Sequence, residues 1–285
     1  MRKKLLCAGT AMLAMAFTSH SALAQDADND LPEENVLAGD YLTVSVGGIY
    51  TPSYSGSDDY KMNVFPLIRG KFKGVRINPT AGGVSLDLID DSDSSPNFQA
   101  GPVIRLRNDR TGRIKDDVVK QLGELDTALE VGPSVGVTFP GILHGYDELN
   151  LSVNAKWDVL GAHSGMTISP SISYRTPLSR GIQTAVGLSA DYGDDDYMDY
   201  YYSIGPAGSV ASGLPQYQAK GGWQSASLNA IAGFDLDGDF TNGGMAIFVL
   251  GGYSRMLDDA KHSPITSIRG DADQWMGGAG IAYTF

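Results

Sequence analysis

Apolar and polar residues alternate with period two along most of this chain. Leu149, Leu151, Val153, Ala155, Trp157 and Val159 are apolar, and Asn150, Ser152, Asn154, Lys156 and Asp158 stand between them. Leu129, Val131, Pro133, Val135, Val137 and Phe139 alternate in the same way with Glu130, Gly132, Ser134, Gly136 and Thr138. Such a run has one apolar and one polar face, because successive strand side chains point to opposite sides. Segments of this kind lie near 41–50, 61–71, 74–79, 82–90, 97–108, 126–139, 147–160, 165–176, 181–192, 221–237, 243–256 and 274–285. A soluble β-sandwich also alternates. Here, however, the polar-side positions are mostly Gly, Ser, Ala, Thr and Asn, and many runs exceed the usual sandwich strand of about 5–6 residues. The pattern predicts an all-β fold, a transmembrane antiparallel up-and-down β-barrel of 12 strands. Ten strands is the alternative count, and the weakest assignment is the short pair 74–79 and 82–90, which also reads as one bulged strand.

The connections sort by length. With the first strand running outward, the external connections are 51–60, 80–81, 109–125, 161–164, 193–220 and 257–273. The internal ones are 72–73, 91–96, 140–146, 177–180 and 238–242. Every long connection then falls on one side and both termini on the other, as in outer-membrane barrels. Within 109–125, Ile114, Val118, Val119 and Leu122 are spaced like a short amphipathic helix.

Composition fits short alternating strands. Gly is 36 of 285 residues and Tyr 14, charged residues are only 19%, and no apolar run reaches helical transmembrane length. A net charge of -12 argues against nucleic acid as a partner. The single Cys excludes a disulfide scaffold. Arg2, Lys3 and Lys4, an apolar stretch and Ala22-Leu23-Ala24 form a signal peptide over 1–24, cleaved between Ala24 and Gln25. Cleavage removes those three bases and Cys7. Residues 25–40 carry Asp26, Asp28, Asp30, Glu33, Glu34 and Asp40 with no base, and read as a disordered periplasmic tail. The barrel is expected over 41–285.

The chain closes on Ile281, Tyr283 and Phe285 along one face, similar to the closing-strand signal read by the outer-membrane assembly machinery. Four further pieces occur in order. They are the stretch from Gly47 through Pro52 and Tyr54 to Gly56-Ser57-Asp58, with Pro66 beyond it, then Tyr200-Tyr201-Tyr202, then Ser212-Gly213-Leu214-Pro215, then the stretch from Leu257 to Ile265. Together they resemble the MltA-interacting protein (MipA)/OmpV family of outer-membrane proteins, with Tyr202 standing where that family's pattern has Phe. The resemblance implies a barrel in the outer membrane of a Gram-negative cell, with both termini periplasmic. It implies a non-enzymatic scaffold for a periplasmic murein transglycosylase and a penicillin-binding synthase, or else a permeability or adhesion protein. It supplies no catalytic motif.

The chemistry legible in the residues themselves is sparse. His144, His163 and His262 lie in separate connections without metal-ligand spacing, so no metal or other cofactor is expected. Asp235-Leu236-Asp237-Gly238-Asp239 lacks the spacing and the closing Glu of a calcium loop and reads as a tight acidic turn. The alternation places Arg105, Arg107, Glu130, Lys156, Asp158, Arg175, Asp191 and Asp235 on the lumen face. These charges either pair across a closed interior or line a water-filled, porin-like channel. In the longest connection, Asp194, Asp195 and Asp196 precede Tyr200, Tyr201 and Tyr202. The expectation is a loop folded over the external mouth, acids outward and some tyrosines against the rim.

Overall fold

The computed structural model describes residues 35–90 and 96–285. The period-two segments form twelve strands: β1 Tyr41–Pro52, β2 Tyr60–Phe72, β3 Val75–Thr80, β4 Gly83–Asp87, β5 Asn97–Arg107, β6 Ala128–Pro140, β7 Glu148–Asp158, β8 Met166–Ser179, β9 Ile182–Gly193, β10 Gly222–Asp235, β11 Gly244–Met256 and β12 Asp273–Thr284. Each pairs antiparallel with its sequence neighbours, and β1 pairs with β12 to close the barrel. Closure leaves no open sheet edge at the seam, the condition for backbone polar groups to survive in lipid. Ten strands run 11 to 14 residues, enough to cross a bilayer at a tilt. The exceptions, β3 and β4, are two strands joined by a tight turn, not one bulged strand.

The apolar face points outward. Val46, Val64, Ile104, Val135, Leu188, Leu228, Val249 and Ile281 are all exposed on it, the lipid-facing band of a membrane barrel. At the seam Thr43 and Thr284 share a 2.8 Å hydroxyl hydrogen bond, and the Phe285 N–H donates to the Leu42 carbonyl at 2.9 Å. Inside, the Phe65 and Phe248 rings meet edge to face with centroids 6.1 Å apart. Gly47 and Gly280 lie against these rings. A Cβ on Gly280 would come within 2.5 Å of Phe248 and within 2.4 Å of the Val46 carbonyl oxygen, so only glycine fits there.

The two barrel ends differ. One carries tight turns. The other, the loop end, carries five short helices: α1 Asp117–Lys120, α2 Asp195–Tyr202, α3 Pro206–Ser212, α4 Asp258–His262 and α5 Pro264–Ser267. Both buried apolar clusters among the described residues belong to this cap. The first gathers Tyr197, Met198, Tyr201 and Tyr202 of α2 with Ala219, Met256 and Ala260. The second gathers Tyr54, Ile114, Val119, Ile204, Leu214 and Ile265, with Val118 and Leu122 packed on it. The helix expected in 109–125 is thus a single turn holding Val118 and Val119, while Ile114 and Leu122 lie outside it and join the same cluster.

The expected signal peptide, its Ala24/Gln25 junction and residues 25–34 of the tail lie outside the described residues. Residues 35–40, assigned to the tail by their composition, are instead built onto the turn end. Val36–Ala38 form a 3-10 turn capped by Asn35, and the Val36 N–H donates to the Thr241 carbonyl at 2.8 Å. Asp40 accepts from the Lys73 N–H at 2.8 Å.

Candidate functional site

The lumen charges converge on one layer beneath the cap. Cross-strand register sets Arg105 opposite Glu130 on the lumen face, and β7 and β9 add Lys156 and Asp191. Glu130 is wholly buried. Its carboxylate accepts from Arg107 Nε at 2.5 Å, lies 3.4 Å from His163 Nε2, and has Arg105 Nε at 4.0 Å. Lys156 Nζ donates to Ser169 Oγ at 3.1 Å, and that hydroxyl donates to Asp191 Oδ1 at 2.7 Å. Three bases thus face two carboxylates in a narrow layer. A buried charge survives only when paired in this way.

The cap is pinned to that layer. The Arg107 guanidinium lies 4.8 Å from the Tyr197 ring centre and 5.7 Å from that of Tyr201. Tyr197 Oη donates to Gln224 Oε1 at 2.8 Å, and Gln224 Nε2 donates to Tyr202 Oη at 2.8 Å. Burial pushes both tyrosyl hydroxyls well above their ordinary pKa, so both stay protonated. Arg110 donates to the Tyr201 carbonyl at 3.0 Å, and Ser263 Oγ to the Tyr202 carbonyl at 2.7 Å.

Two cavities flank the charged layer. The turn-end cavity, about 810 Å³, is lined by Ser, Thr, Asn and Gln side chains with Arg69, Arg76, Glu148 and Arg175. The loop-end cavity, about 850 Å³, reaches past Lys61, Asn63 and Arg113. Both touch Ala81, Arg105, Ser189, Asp191 and Asn229, so they abut at that layer.

Of the expected lumen charges, Arg105, Lys156, Arg175 and Asp191 line the cavity wall. Arg107 and Glu130 sit at the cap's underside, and Arg175 pairs with Glu148 at the turn end. Asp158 and Asp235 do a different job. Asp158 accepts from the N–H groups of Leu160, His163 and Ser164, and Asp235 from those of Asp237, Gly238 and Asp239. Each stands last in its strand and folds the turn that follows, where backbone N–H groups outcompete the lumen for a carboxylate. His163 reaches the layer only because Asp158 folds its loop inward, which alternation could not reveal. Arg69, Arg76, Asp87 and Glu148 were also missed. Arg76 and Asp87 pair at 2.7 Å and lie on the two short strands, where the periodic signal is weakest.

The acids of the longest connection are not simply outward. Asp194 caps α2, accepting from the N–H groups of Tyr197 at 3.0 Å and Met166 at 2.8 Å, and Asp195 accepts from the Gly221 N–H. Asp196 is exposed. Tyr200 is half-buried, while Tyr201 and Tyr202 belong to the cap core and not to the rim. A helix turns i and i+4 to one side, which lets Tyr197 and Tyr201 pack together. Ile281, Tyr283 and Phe285 face outward, the last two rings 4.6 Å apart. Among the described residues no group of three or more His, Cys, Asp or Glu could hold a metal ion.

Residues 44–285 match the family model for MltA-interacting protein MipA. The chain belongs to that family. As a MipA-family member with a closed, apolar-belted sheet, it is an outer-membrane β-barrel protein. No curated protein matches it significantly. Among solved structures it is similar to an outer membrane channel from Pseudomonas putida F1, at 13% identity over 90% of this chain and 100% of that one, TM-score 0.44. The CymD monoaromatic hydrocarbon channel matches at 7% identity over 86% and 88%, TM-score 0.41, and OmpT of Vibrio cholerae at 7% over 86% and 97%, TM-score 0.35. Likenesses this distant add nothing to what the closed sheet of this MipA-family chain already shows.

Proposed function

We propose that the protein is a narrow, non-enzymatic outer-membrane channel for small hydrophilic solutes, with both termini periplasmic and the helical cap outside. One observation carries this reading: two cavities of about 810 and 850 Å³, with charged and polar side chains in their linings, abut at a single layer of lumen side chains. A lumen meant only to be filled would be packed at protein-interior density. The test is swelling of vesicles holding the purified protein in an iso-osmotic small sugar. Swelling above protein-free vesicles supports the channel, and none argues for a closed barrel.

A second reading, scaffolding of a periplasmic murein transglycosylase and a penicillin-binding synthase, is favoured by the family's name and one surface. The turn between β6 and β7 exposes Leu143 and Tyr146 to 76% and 84%, beside exposed Ile142, and aromatic and aliphatic anchors of this kind make interface hot spots. Retention of a murein transglycosylase by the immobilised barrel, lost in Leu143→Asp, would support it.

A further inference from the structure

The turn-end cavity carries charge of the opposite sign to the chain. The net charge of the chain is -12, yet five bases and two acids line this cavity. Both acids are engaged: Glu148 holds Arg175 at 2.5 Å, and Asp191 accepts from Ser169. Two of the bases meet across the lumen. Ile68 and Ile172 are exposed on the lipid face, so alternation turns Arg69 of β2 and Arg175 of β8 inward. In the closed ring of twelve strands β2 and β8 stand six places apart, on opposite walls. Even so, the charge that bears most strongly on Arg175 is that of Arg69, so the two guanidiniums reach toward one another.

Glu148 answers only one of these two charges. Arg69 has no hydrogen bond or ion pair among the described residues. Like charges repel more strongly in a confined lumen than in open water, and an anion between them removes the repulsion. The planar guanidinium fork suits a carboxylate. Hydroxyls stand next to the pair. Thr43 is opposite Arg69, and Ser45 follows one pleat further into the lumen. Ser173 holds the corresponding place above Arg175. One pleat is about 7 Å, the length of two strand residues. Neither the Ser45 nor the Ser173 hydroxyl is hydrogen-bonded among the described residues, and both line the cavity.

We propose that the turn-end cavity binds a small polyhydroxylated carboxylate, its carboxylate clamped between Arg69 and Arg175 and its hydroxyls on the Ser45 and Ser173 side chains. The clamp lies close to the turn-end mouth, since β2 ends at Phe72 and β8 at Ser179, and the ligand reaches it from there without passing the acids of the loop end. The inference names a solute class for the channel reading and rests on that reading for the solute's onward passage.

The test titrates the full chain, in detergent at low salt, with gluconate, sorbitol and sulfate by calorimetry, beside swelling of protein-bearing vesicles in iso-osmotic sorbitol. Gluconate should bind, sulfate more weakly, and sorbitol not at all. Arg69→Gln removes no bond of the fold, so heat-modifiable mobility should be unchanged while gluconate binding weakens on the order of tenfold, the loss of a charge-assisted hydrogen bond. The double variant Ser45→Ala/Ser173→Ala should weaken gluconate and leave sulfate unchanged. Arg180, which pairs with Asp239 at the turn end, is the control, and Arg180→Gln should alter neither. No gluconate binding, or equal weakening by Arg180→Gln, overturns the clamp. Sulfate binding as tight as that of gluconate overturns the polyhydroxylated class. Sorbitol swelling without gluconate binding leaves the channel standing and removes the site, whereas gluconate binding without swelling overturns the channel reading and keeps the site.

Discussion

The Arg107 guanidinium sits 4.8 Å from the Tyr197 ring while its Nε holds Glu130. One arginine therefore joins the lumen charge layer to the cap, and this coupling makes the cap a part of the lumen. A desolvated cation–π contact contributes about 2 kcal/mol, and the buried Tyr197 ring more.

Tyr197→Ala should loosen the cap without unfolding the barrel. Truncating a fully buried aromatic side chain costs about 3–5 kcal/mol, and here the loss falls on the cap, since no strand pairing involves α2. Limited proteolysis should cut residues 194–221 in the variant and spare them in the wild type, while both keep heat-modifiable gel mobility.

Glu130→Gln should be more damaging than its size suggests. It leaves Arg105 and Arg107 facing a neutral amide, and breaking a buried pair by removing one partner costs about 3–5 kcal/mol. Urea unfolding in detergent would measure the loss. A double change, Arg107→Met with Glu130→Leu, should recover part of it. Independent addition of the two single effects would contradict direct coupling.

Acid should release the seam between α1 and the segment after α5. Asp116 caps α1 through the N–H groups of Val118 and Val119 and accepts from Arg269 Nη2 at 2.6 Å. Burial raises its pKa, but Arg269 and the two N–H groups outweigh that and hold the carboxyl below its ordinary value. A depressed folded-state pKa adds stability that is fully present above the unfolded value of about 3.9, and this is lost as pH falls through the lower folded value. Hydrogen exchange at Val118 and Val119 should therefore quicken below about pH 4. Asp116→Asn should exchange fast already at neutral pH and show no such acid step.

The strands were legible because a lipid-facing sheet forces one simple rule on every residue. From Leu149 to Trp157 each side chain faces lipid or lumen, and the alternation records which. The cap obeys another rule. Its helices are short, and a reading tuned to period two passes over α2 and α3. Their punctuation was nonetheless present: Asp194 as an N-cap, Pro206 at a helix start, and Gly213 at φ 74° just past a helix end. The same gap explains Asp158 and Asp235, which alternation sends to the lumen and local backbone N–H groups draw back to the turns. Contacts such as His163 with Glu130, or Arg107 with Tyr197, depend on loops folding back into the barrel, and no local pattern carries them.

The last residue should matter for insertion beyond its packing. Phe285 faces outward, and its backbone exchanges hydrogen bonds with Leu42 across the seam. Phe285→Ser keeps those backbone bonds and removes only the aromatic ring. Outer-membrane levels of the variant should fall and periplasmic degradation rise. Wild-type levels would show that closure needs only the backbone pairing.

The most direct test of a cap-gated channel is conductance of the purified protein in planar bilayers, compared with a deletion of residues 194–217 that inserts normally. That deletion removes Tyr197, Tyr201 and Tyr202 from above Arg107, and with them Asp194, Asp195, Asp196 and Asp199 from the mouth. The wild type should show small open-channel steps. The deletion should show larger steps with less cation preference, because an acidic vestibule concentrates cations. Silent bilayers for both proteins would contradict the channel and leave the barrel a closed support.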